Sequence, residues 1–192
     1  MAKLIAQTLG RNDRALEAIR QTAIVVGASL FVALCAHVTL PLPFTPVPLT
    51  MQNMGVLLVG LALGSRRGFA ALVVYLLEGL SGLPVFSPTG PGGLAQLVGP
   101  TGGFLMVYPM VAALAGWIME RGRASFARAA ISALAGELVL FAGGIAWLAG
   151  LTHSFAQAVR FGFYWFIFAE IIKVMSAAAL ANGWRRTQKA GR

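Results

Sequence analysis

The sequence is poor in charge and contains a single cysteine. Charged residues make up 11% of its 192 residues, whereas an ordinary soluble domain has about 25%. Apolar residues make up 58% and the mean hydropathy is +0.78, which is more apolar surface than a soluble chain of this length can bury. The composition therefore excludes a soluble enzyme, a disordered tail and a coiled coil, and it indicates an integral membrane protein.

Several chemical motifs are also missing. The lone Cys35 excludes a disulfide framework and a cysteine-based zinc site. The two histidines, His37 and His153, lie in no ligand motif, so we expect no metal. The pattern G-x-x-x-x-G-K-[ST] is absent, which excludes ATP hydrolysis by that route. We therefore predict a protein that is not an enzyme and that holds no cofactor of its own.

Apolar runs predict an all-α membrane protein with six transmembrane helices. A bilayer core about 30 Å thick needs about 20 helical residues. The first, fifth and sixth runs are long enough, whereas the second and third are short and imply local thinning or loops that enter the membrane against protein. The predicted spans are 22–40, 51–64, 68–83, 103–119, 126–150 and 159–182.

The basic residues predict the orientation of these spans. With six spans, every lysine and arginine except Arg160 and Lys173 falls on one side, and that side is the cytoplasm. Both termini are then cytoplasmic, with basic segments 1–21 and 183–192 flanking a membrane domain at 22–182. For the first segment, a helix on the membrane surface and a loosely ordered tail remain alternatives. Because this distribution accounts for the net charge of +9, we expect lipid and no nucleic acid as a partner.

Prolines mark the two loops predicted on the outer side. Eight of the nine prolines lie there, and both loops are uncharged, apolar and rich in turn-forming glycine. Such loops are typical of a lid over a pocket that opens outward, although they could also simply cover the short helices. The residues predicted to form the lid are Pro46, Val47, Pro48, Gly92 and Gly93.

Polar side chains within the spans predict a binding site, because such groups are costly in a bilayer. Glu170 and Lys173 share a face of the sixth helix at i and i+3. They form an ion pair with each other or together face a polar ligand. Gln52 and Asn53 begin the second span directly under the first proline loop. Glu78 and Glu137 could both find partners on neighbouring helices, and for Glu137 this is the expected role.

One short motif suggests a different class of protein. Gly79-Leu80-Ser81-Gly82 matches the G-x-S-G pattern of intramembrane serine hydrolases. Such an enzyme needs a histidine facing the serine from another helix, and the sequence places neither histidine at a suitable depth. The hydrolase is kept as an alternative to ligand capture.

Several uncommon strings occur in register and carry a family resemblance. They are Pro41-Leu-Pro-Phe-Thr-Pro-Val-Pro-Leu-Thr-Met-Gln52, Gly64-Ser-Arg-Arg-Gly68, Tyr75-Leu-Leu-Glu-Gly-Leu-Ser-Gly-Leu-Pro-Val-Phe86 and Gly99-Pro-Thr-Gly-Gly-Phe104. With them the chain resembles the BioY family, the biotin-binding S components of energy-coupling-factor (ECF) transporters. In the sixth span, Phe163-Tyr-Trp-Phe166 replaces a proline-containing stretch, Glu170 replaces the usual aspartate, and Lys173 is kept.

The resemblance implies a function and a set of partners. S components similarly have six helices with both termini inside, and they bind a vitamin under loop lids near the outer face. In such transporters a transmembrane coupling protein and a pair of ABC-type ATPases supply the energy for uptake, so ATP is used only by these partner subunits. The implied ligand is biotin, taken up across the bacterial cytoplasmic membrane, with an S component for a different vitamin as the alternative. The implied biotin-binding residues are Gln52, Asn53, Tyr75, Phe86, Glu170 and Lys173.

The resemblance also implies that the first helix faces the coupling protein. Small residues at i and i+4 let helices approach closely in lipid. Two such pairs occur in the first span, although ordinary internal packing would use them equally well. The residues are Ala23 and Gly27, then Ser29 and Ala33.

The predicted topology can be tested with single cysteines in a Cys35→Ser background. Gly90→Cys lies in a predicted outer loop, so a membrane-impermeant thiol reagent should label it in intact cells. Arg66→Cys lies in a predicted cytoplasmic join and should be labelled only after the cells are lysed. Labelling of position 66 but not of position 90 in intact cells would contradict the six-span orientation.

Overall fold

The computed structural model describes residues 2–190, with the backbone alone described at 2–13, 186 and 188–190. Most of this part of the chain is helical. Residue 1 and residues 191–192, at the edges of the two predicted basic segments, lie outside the described residues. The elements are α1 (Ala2–His37), β1 (Thr39–Leu40), β2 (Leu49–Thr50), α2 (Gln52–Leu63), α3 (Ser65–Leu80), α4 (Gly93–Val98), α5 (Gly102–Glu120), α6 (Phe126–Thr152), α7 (Phe155–Val159), a π-helix (Arg160–Tyr164) and α8 (Ile167–Ala190).

The long helices form a bundle around α2 and α5. Helix α5 packs against α2, α3 and α6, while α2 also contacts α1 and α8. The chain order places the ends of α1, α3 and α6 at the same end of the bundle as the starts of α2, α5 and α8. Both proline loops lie at this end, which we call the loop end.

Four helices are long and apolar enough to cross a membrane. They cover Arg14–His37, Gly102–Glu120, Phe126–Thr152 and Ile167–Arg185. Helix α2 is apolar but has only 12 residues, or about 18 Å at 1.5 Å per residue. The prediction that the second span is short is therefore confirmed.

The outer surface of the bundle is apolar, as a lipid-facing surface requires. Large side chains such as Leu34, Leu138 and Phe168 expose 71%, 72% and 79% of their area. A soluble protein of this size would leave few such side chains in contact with water. The exposed bands on α1, α6 and α8 are thus explained by contact with lipid tails.

The structure corrects the predicted limits of the first and last spans. Helix α1 runs without a break from Ala2, so its backbone shows no boundary between the segment 1–21 and the first span. The sixth span was predicted as one helix over 159–182, but α8 begins only at Ile167, after α7 and the π-helix. The stretch Phe163–Phe166 lies at this change in helical winding.

Both loops contain ordered structure that the sequence analysis did not predict. The first is closed by the antiparallel strands β1 and β2, which pair Thr39 with Thr50 and Leu40 with Leu49. The second contains α4, and Gln96 and Leu97 on this helix are buried. The loops are therefore folded caps on the bundle rather than extended coil.

Glycines allow α2, α3 and α5 to pack at backbone contact. A Cβ atom at Gly116 would lie 2.5 Å from backbone atoms of Gly64 and Ser65, and one at Gly60 would lie 2.5 Å from the carbonyl oxygen of Ala112. Backbone atoms cannot move aside as the end of a flexible side chain can. Close approach at these sites therefore fixes the spacing of the three helices.

This packing predicts a difference between two glycine substitutions. Gly116→Ala should lower the stability of the fold by about 1–3 kcal/mol, because overpacking forces backbone shifts. Gly27→Ala on α1 is the matched control, since no atom lies within 4 Å of its added methyl group. Thermal unfolding in detergent measures both, and equal melting temperatures would contradict the close contact at Gly116.

Candidate ligand-binding site

A cavity lies at the loop end, between the helices and the two loops. Helices α2, α5, α6 and α8 form most of its wall, and the first loop contributes Val47 and Pro48. The lining is mainly apolar, with a few polar groups that converge at one place.

The polar groups form a buried cluster across three helices. Lys173 Nζ lies 2.7 Å from Glu170 Oε1 on α8. Asn53 Nδ2 on α2 donates to both carboxyl oxygens of Glu137 on α6, each at 3.1 Å, and also to Glu170 Oε2. All four side chains are buried, with exposed fractions of 5–7%. The cluster therefore places two carboxyl groups against a single ammonium group.

These bonds fix the orientation of the Asn53 amide. Because Glu137 and Glu170 both accept from its nitrogen, its oxygen must point away from them. Asn53 Oδ1 is buried and has no hydrogen-bond partner, and Asn53 lines the cavity. A buried acceptor without a donor is costly, so this atom marks a position for an N–H or O–H group of a ligand.

Gln52 is held by a second chain of hydrogen bonds. Its Nε2 donates to Tyr75 Oη at 2.7 Å, and that hydroxyl donates to the carbonyl oxygen of Val85 at 2.9 Å. Phe86 packs edge-on against Tyr75, with ring centroids 5.4 Å apart. Gln52 lines the cavity, but Tyr75 and Phe86 do not. Both aromatic residues lie behind the cavity wall, where they orient Gln52 and anchor the second loop.

The predicted lid residues divide into two groups. In the first loop, Val47 and Pro48 line the cavity, while Pro46 lines a second space further out. In the second loop, Gly92 and Gly93 line neither space. Their φ values of 72° and 56° place them in the left-handed region, which glycine adopts readily. These two glycines form the turn that starts α4.

The first loop is tied to the π-helix. Thr45 Oγ1 donates to the carbonyl oxygen of Phe161 at 2.7 Å. The rings of Phe44 and Trp165 lie 4.3 Å apart. The altered winding before α8 thus provides the anchor for the loop that covers the cavity.

Helix α1 divides its small residues between two faces. Ser29 and Ala33 are buried, and Ser29 Oγ donates to Glu78 Oε1 on α3 at 2.9 Å. Ala23 and Gly27 are exposed. Of the predicted contacts with an outside helix, Ser29 and Ala33 are therefore corrected to internal packing. Glu78 thus has a partner on a neighbouring helix, which is one of the roles left open for it.

Ser81 has a structural role at the end of α3. Its Oγ donates to the carbonyl oxygen of Glu78 at 2.7 Å, and its side chain is exposed. The hydroxyl thus satisfies a backbone carbonyl group at the end of the helix. The geometry does not favour the hydrolase alternative.

The structure also adds residues that the sequence analysis did not assign to the site. Glu137 was predicted only to find a structural partner, and it does so through Asn53, but that partner is part of the cavity wall. Gln96, Thr101 and Tyr108 line the cavity as well. Glu137 could have been assigned to the site from the sequence, because a carboxyl group within an apolar helix is unusual. Uncharged residues such as Thr101 show no comparable feature in the sequence.

Comparison with known proteins identifies relatives over most of the chain. The BioY family model matches residues 6–190. The biotin transporter BioY2 of Lactococcus lactis subsp. cremoris is 36% identical over 155 residues, covering 80% of this chain and 83% of the relative. The biotin transporter BioY of Rhizobium etli is 38% identical over 168 residues, covering 81% and 87% respectively.

A solved structure shows the same fold. It is a crystal structure of the S-component for biotin from an ECF-type ABC transporter, with a TM-score of 0.79. The match covers 88% of this chain and 93% of that chain, at 23% sequence identity. At this identity the likeness establishes the shared fold.

The excess of carboxyl groups in the cluster predicts how its members affect stability. Lys173→Met should destabilise the ligand-free protein by about 3–5 kcal/mol, because it leaves buried acidic groups without their cation. Glu137→Gln should cost much less, since the amide oxygen still accepts from Asn53 and the Lys173–Glu170 pair is kept. Unfolding of the detergent-purified variants compares the two. If Glu137→Gln lowers the free energy of unfolding as much as Lys173→Met does, the stability of the cluster does not depend on its balance of carboxyl and ammonium groups.

Proposed function

The chain belongs to the BioY family, and on that premise we propose that it captures biotin as the substrate-binding subunit of an ECF transporter. It is a multi-pass protein of the cytoplasmic membrane. The observation that carries the proposal is the buried cluster at the cavity, in which Asn53 Oδ1 lacks a donor. The named relatives are biotin transporters, and the chemistry of the cluster suits the same ligand.

The ureido ring of biotin complements the polar groups of the cavity. It presents two N–H donors and one carbonyl acceptor. Asn53 Oδ1 and the Glu170 carboxylate can accept from the N–H groups, and Lys173 can donate to the carbonyl. In a dry pocket, a ligand that lacks these groups leaves buried polar atoms unpaired, and this gives the site its selectivity.

The charge of the cluster supports one orientation of biotin. Glu137 and Glu170 together outnumber the single ammonium group of Lys173. A ligand carboxylate placed there would find no free cation, because Lys173 is already paired with Glu170 at 2.7 Å. The ureido ring therefore lies at the cluster, and the valerate chain points toward the loop end.

Apolar residues of the cavity suit the rest of the ligand. Phe104, Leu140, Phe141 and Phe166 lie along the wall and can pack against the fused rings and the chain. Val47 and Pro48 cover the cavity from the first loop. This loop serves as the lid over bound biotin, and the Thr45 bond anchors it to the π-helix.

The six-span topology fits this function. Helices α1, α2, α3, α5, α6 and α8 would each cross the membrane, so both termini lie on the cytoplasmic side. The distribution of basic residues supports this orientation. The loop end, with the cavity beneath it, then faces outward to collect the vitamin.

Uptake through this subunit depends on partners that use ATP. A transmembrane coupling protein and ABC-type ATPases are proposed for this role, because this chain carries no ATP-binding motif of the P-loop type. Ala23 and Gly27 form the exposed small-residue pair on α1. Their lack of bulk allows a helix of the coupling protein to approach closely in lipid.

The proposal predicts the effect of neutralising each member of the ion pair. Glu170→Gln should weaken biotin binding by about 10- to 150-fold, because a charge-assisted acceptor is lost. Lys173→Met should be as severe. Glu170→Asp keeps the carboxylate and should retain binding, and Glu17→Gln removes an exposed carboxylate on α1 and should leave binding unchanged. Equilibrium binding to the detergent-purified variants gives the affinities.

Thermal unfolding of the same variants separates binding from folding. If both neutral variants bind biotin normally and only melt earlier, the pair is structural and the site assignment is wrong. A panel of vitamins tests the specificity, and tighter binding of another vitamin than of biotin would contradict the proposed ligand.

A further inference from the structure

A second space adjoins the cavity on its outer side. It lies between the two proline loops. We call it the vestibule. Three of its lining residues, Pro48, Gln96 and Thr101, also line the cavity. The vestibule is thus the next space that an extended ligand would meet beyond the cavity.

The vestibule contains no charge among the described residues that line it. Its wall consists of proline, glycine, leucine, threonine and glutamine side chains. Among the described residues of the cavity, Glu170 and Lys173 are the charged ones, and they are bonded to each other. Arg160, on the π-helix, is exposed and lines neither space. A ligand group at the outer mouth therefore meets neutral side chains.

The uncharged side chain of Gln96 lines both spaces and can bind a ligand group at the outer mouth. Its Oε1 accepts from the backbone N–H of Gly92 at 3.1 Å, which assigns the amide oxygen to the loop. No described residue accepts a bond from Nε2, so this NH₂ group is available where the two spaces meet. An N–H donor can bind an amide carbonyl oxygen or a carboxylate oxygen. The stronger bond to the carboxylate is offset by the higher cost of desolvating that group where no cation is near.

From these observations we infer that the substrate class includes biotin amides, with the vestibule holding whatever extends beyond the amide bond. The inference rests on the proposed function and on the orientation that puts the valerate chain outward. Biotinamide and ε-N-biotinyl-lysine are members of this class. Both keep the ureido ring for the cluster and a carbonyl oxygen for Gln96. They lose only a negative charge, and no described residue that lines either space offers an unpaired cation for that charge.

Binding to the full-length detergent-purified chain tests the inference. Biotinamide and ε-N-biotinyl-lysine should bind within about threefold of biotin, whereas loss of a charge-assisted contact would weaken them by about tenfold or more. A biotin derivative methylated on one ureido nitrogen is the matched control. The methyl group removes an N–H donor from the ureido ring that the cluster binds, so the affinity of this derivative should fall by more than about tenfold.

Two bulky substitutions locate the extension. Thr89 lines the vestibule but not the cavity, so Thr89→Trp should weaken ε-N-biotinyl-lysine at least about tenfold more than biotin. Leu94→Trp places the same indole ring on exposed α4 outside both spaces and should leave the ratio of the two affinities unchanged. An equal loss for both ligands in Thr89→Trp would overturn the assignment of the vestibule.

The outcomes distinguish this inference from the proposed function. Tight binding of biotin with amides at least tenfold weaker overturns the inference and leaves the function in place. If Arg160→Gln then removes that difference, Arg160 is the group that reads the carboxylate. A chain that binds neither biotin nor its amides overturns the proposed function, and the inference falls with it.

Discussion

The buried cluster of Glu137, Asn53, Glu170 and Lys173 is the constraint on which the rest of the site depends. One amide nitrogen links the carboxyl groups of α6 and α8, and these bonds turn the oxygen of Asn53 away from both of them. The same groups connect three helices that the chain brings together from distant positions. Their polarity is costly in lipid, so the surrounding packing and the ligand must both compensate for it. Recognition and helix association are in this way parts of a single arrangement.

Much of the architecture could be predicted from the order and spacing of residues along the chain. Apolar runs separated by basic joins indicated the helices of the bundle. The i, i+3 spacing placed Glu170 and Lys173 on one face and left open whether they pair or face a ligand, and the structure shows the pair. The family strings between Pro41 and Phe104 then identified the ligand class. These features are visible because they depend on local spacing and on the cost of charge in a bilayer.

What the sequence did not reveal depends on contacts between distant segments. The bond from Asn53 to Glu137 joins residues 84 positions apart, and nothing in either local pattern specifies the partner. The resemblance implied that Tyr75 and Phe86 contact the ligand, yet tertiary packing places them behind Gln52. Ser29 shows the same limit, since a small residue in lipid can pack equally well against a helix of another protein and against a neighbouring helix of this chain. No simple sequence rule predicts the π-helix before α8, although it anchors the first loop through Phe161.

The shortness of α2 affects the distance that a captured ligand has still to travel. Asn53 is the second residue of this helix, and Leu63 is its last. Ten residues of α-helix span about 15 Å, roughly half the thickness of a bilayer core of about 30 Å. A molecule resting on Asn53 is therefore separated from the far end of α2 by only about three helical turns. A ligand captured there would have a correspondingly short path left along this helix to the opposite end of the bundle.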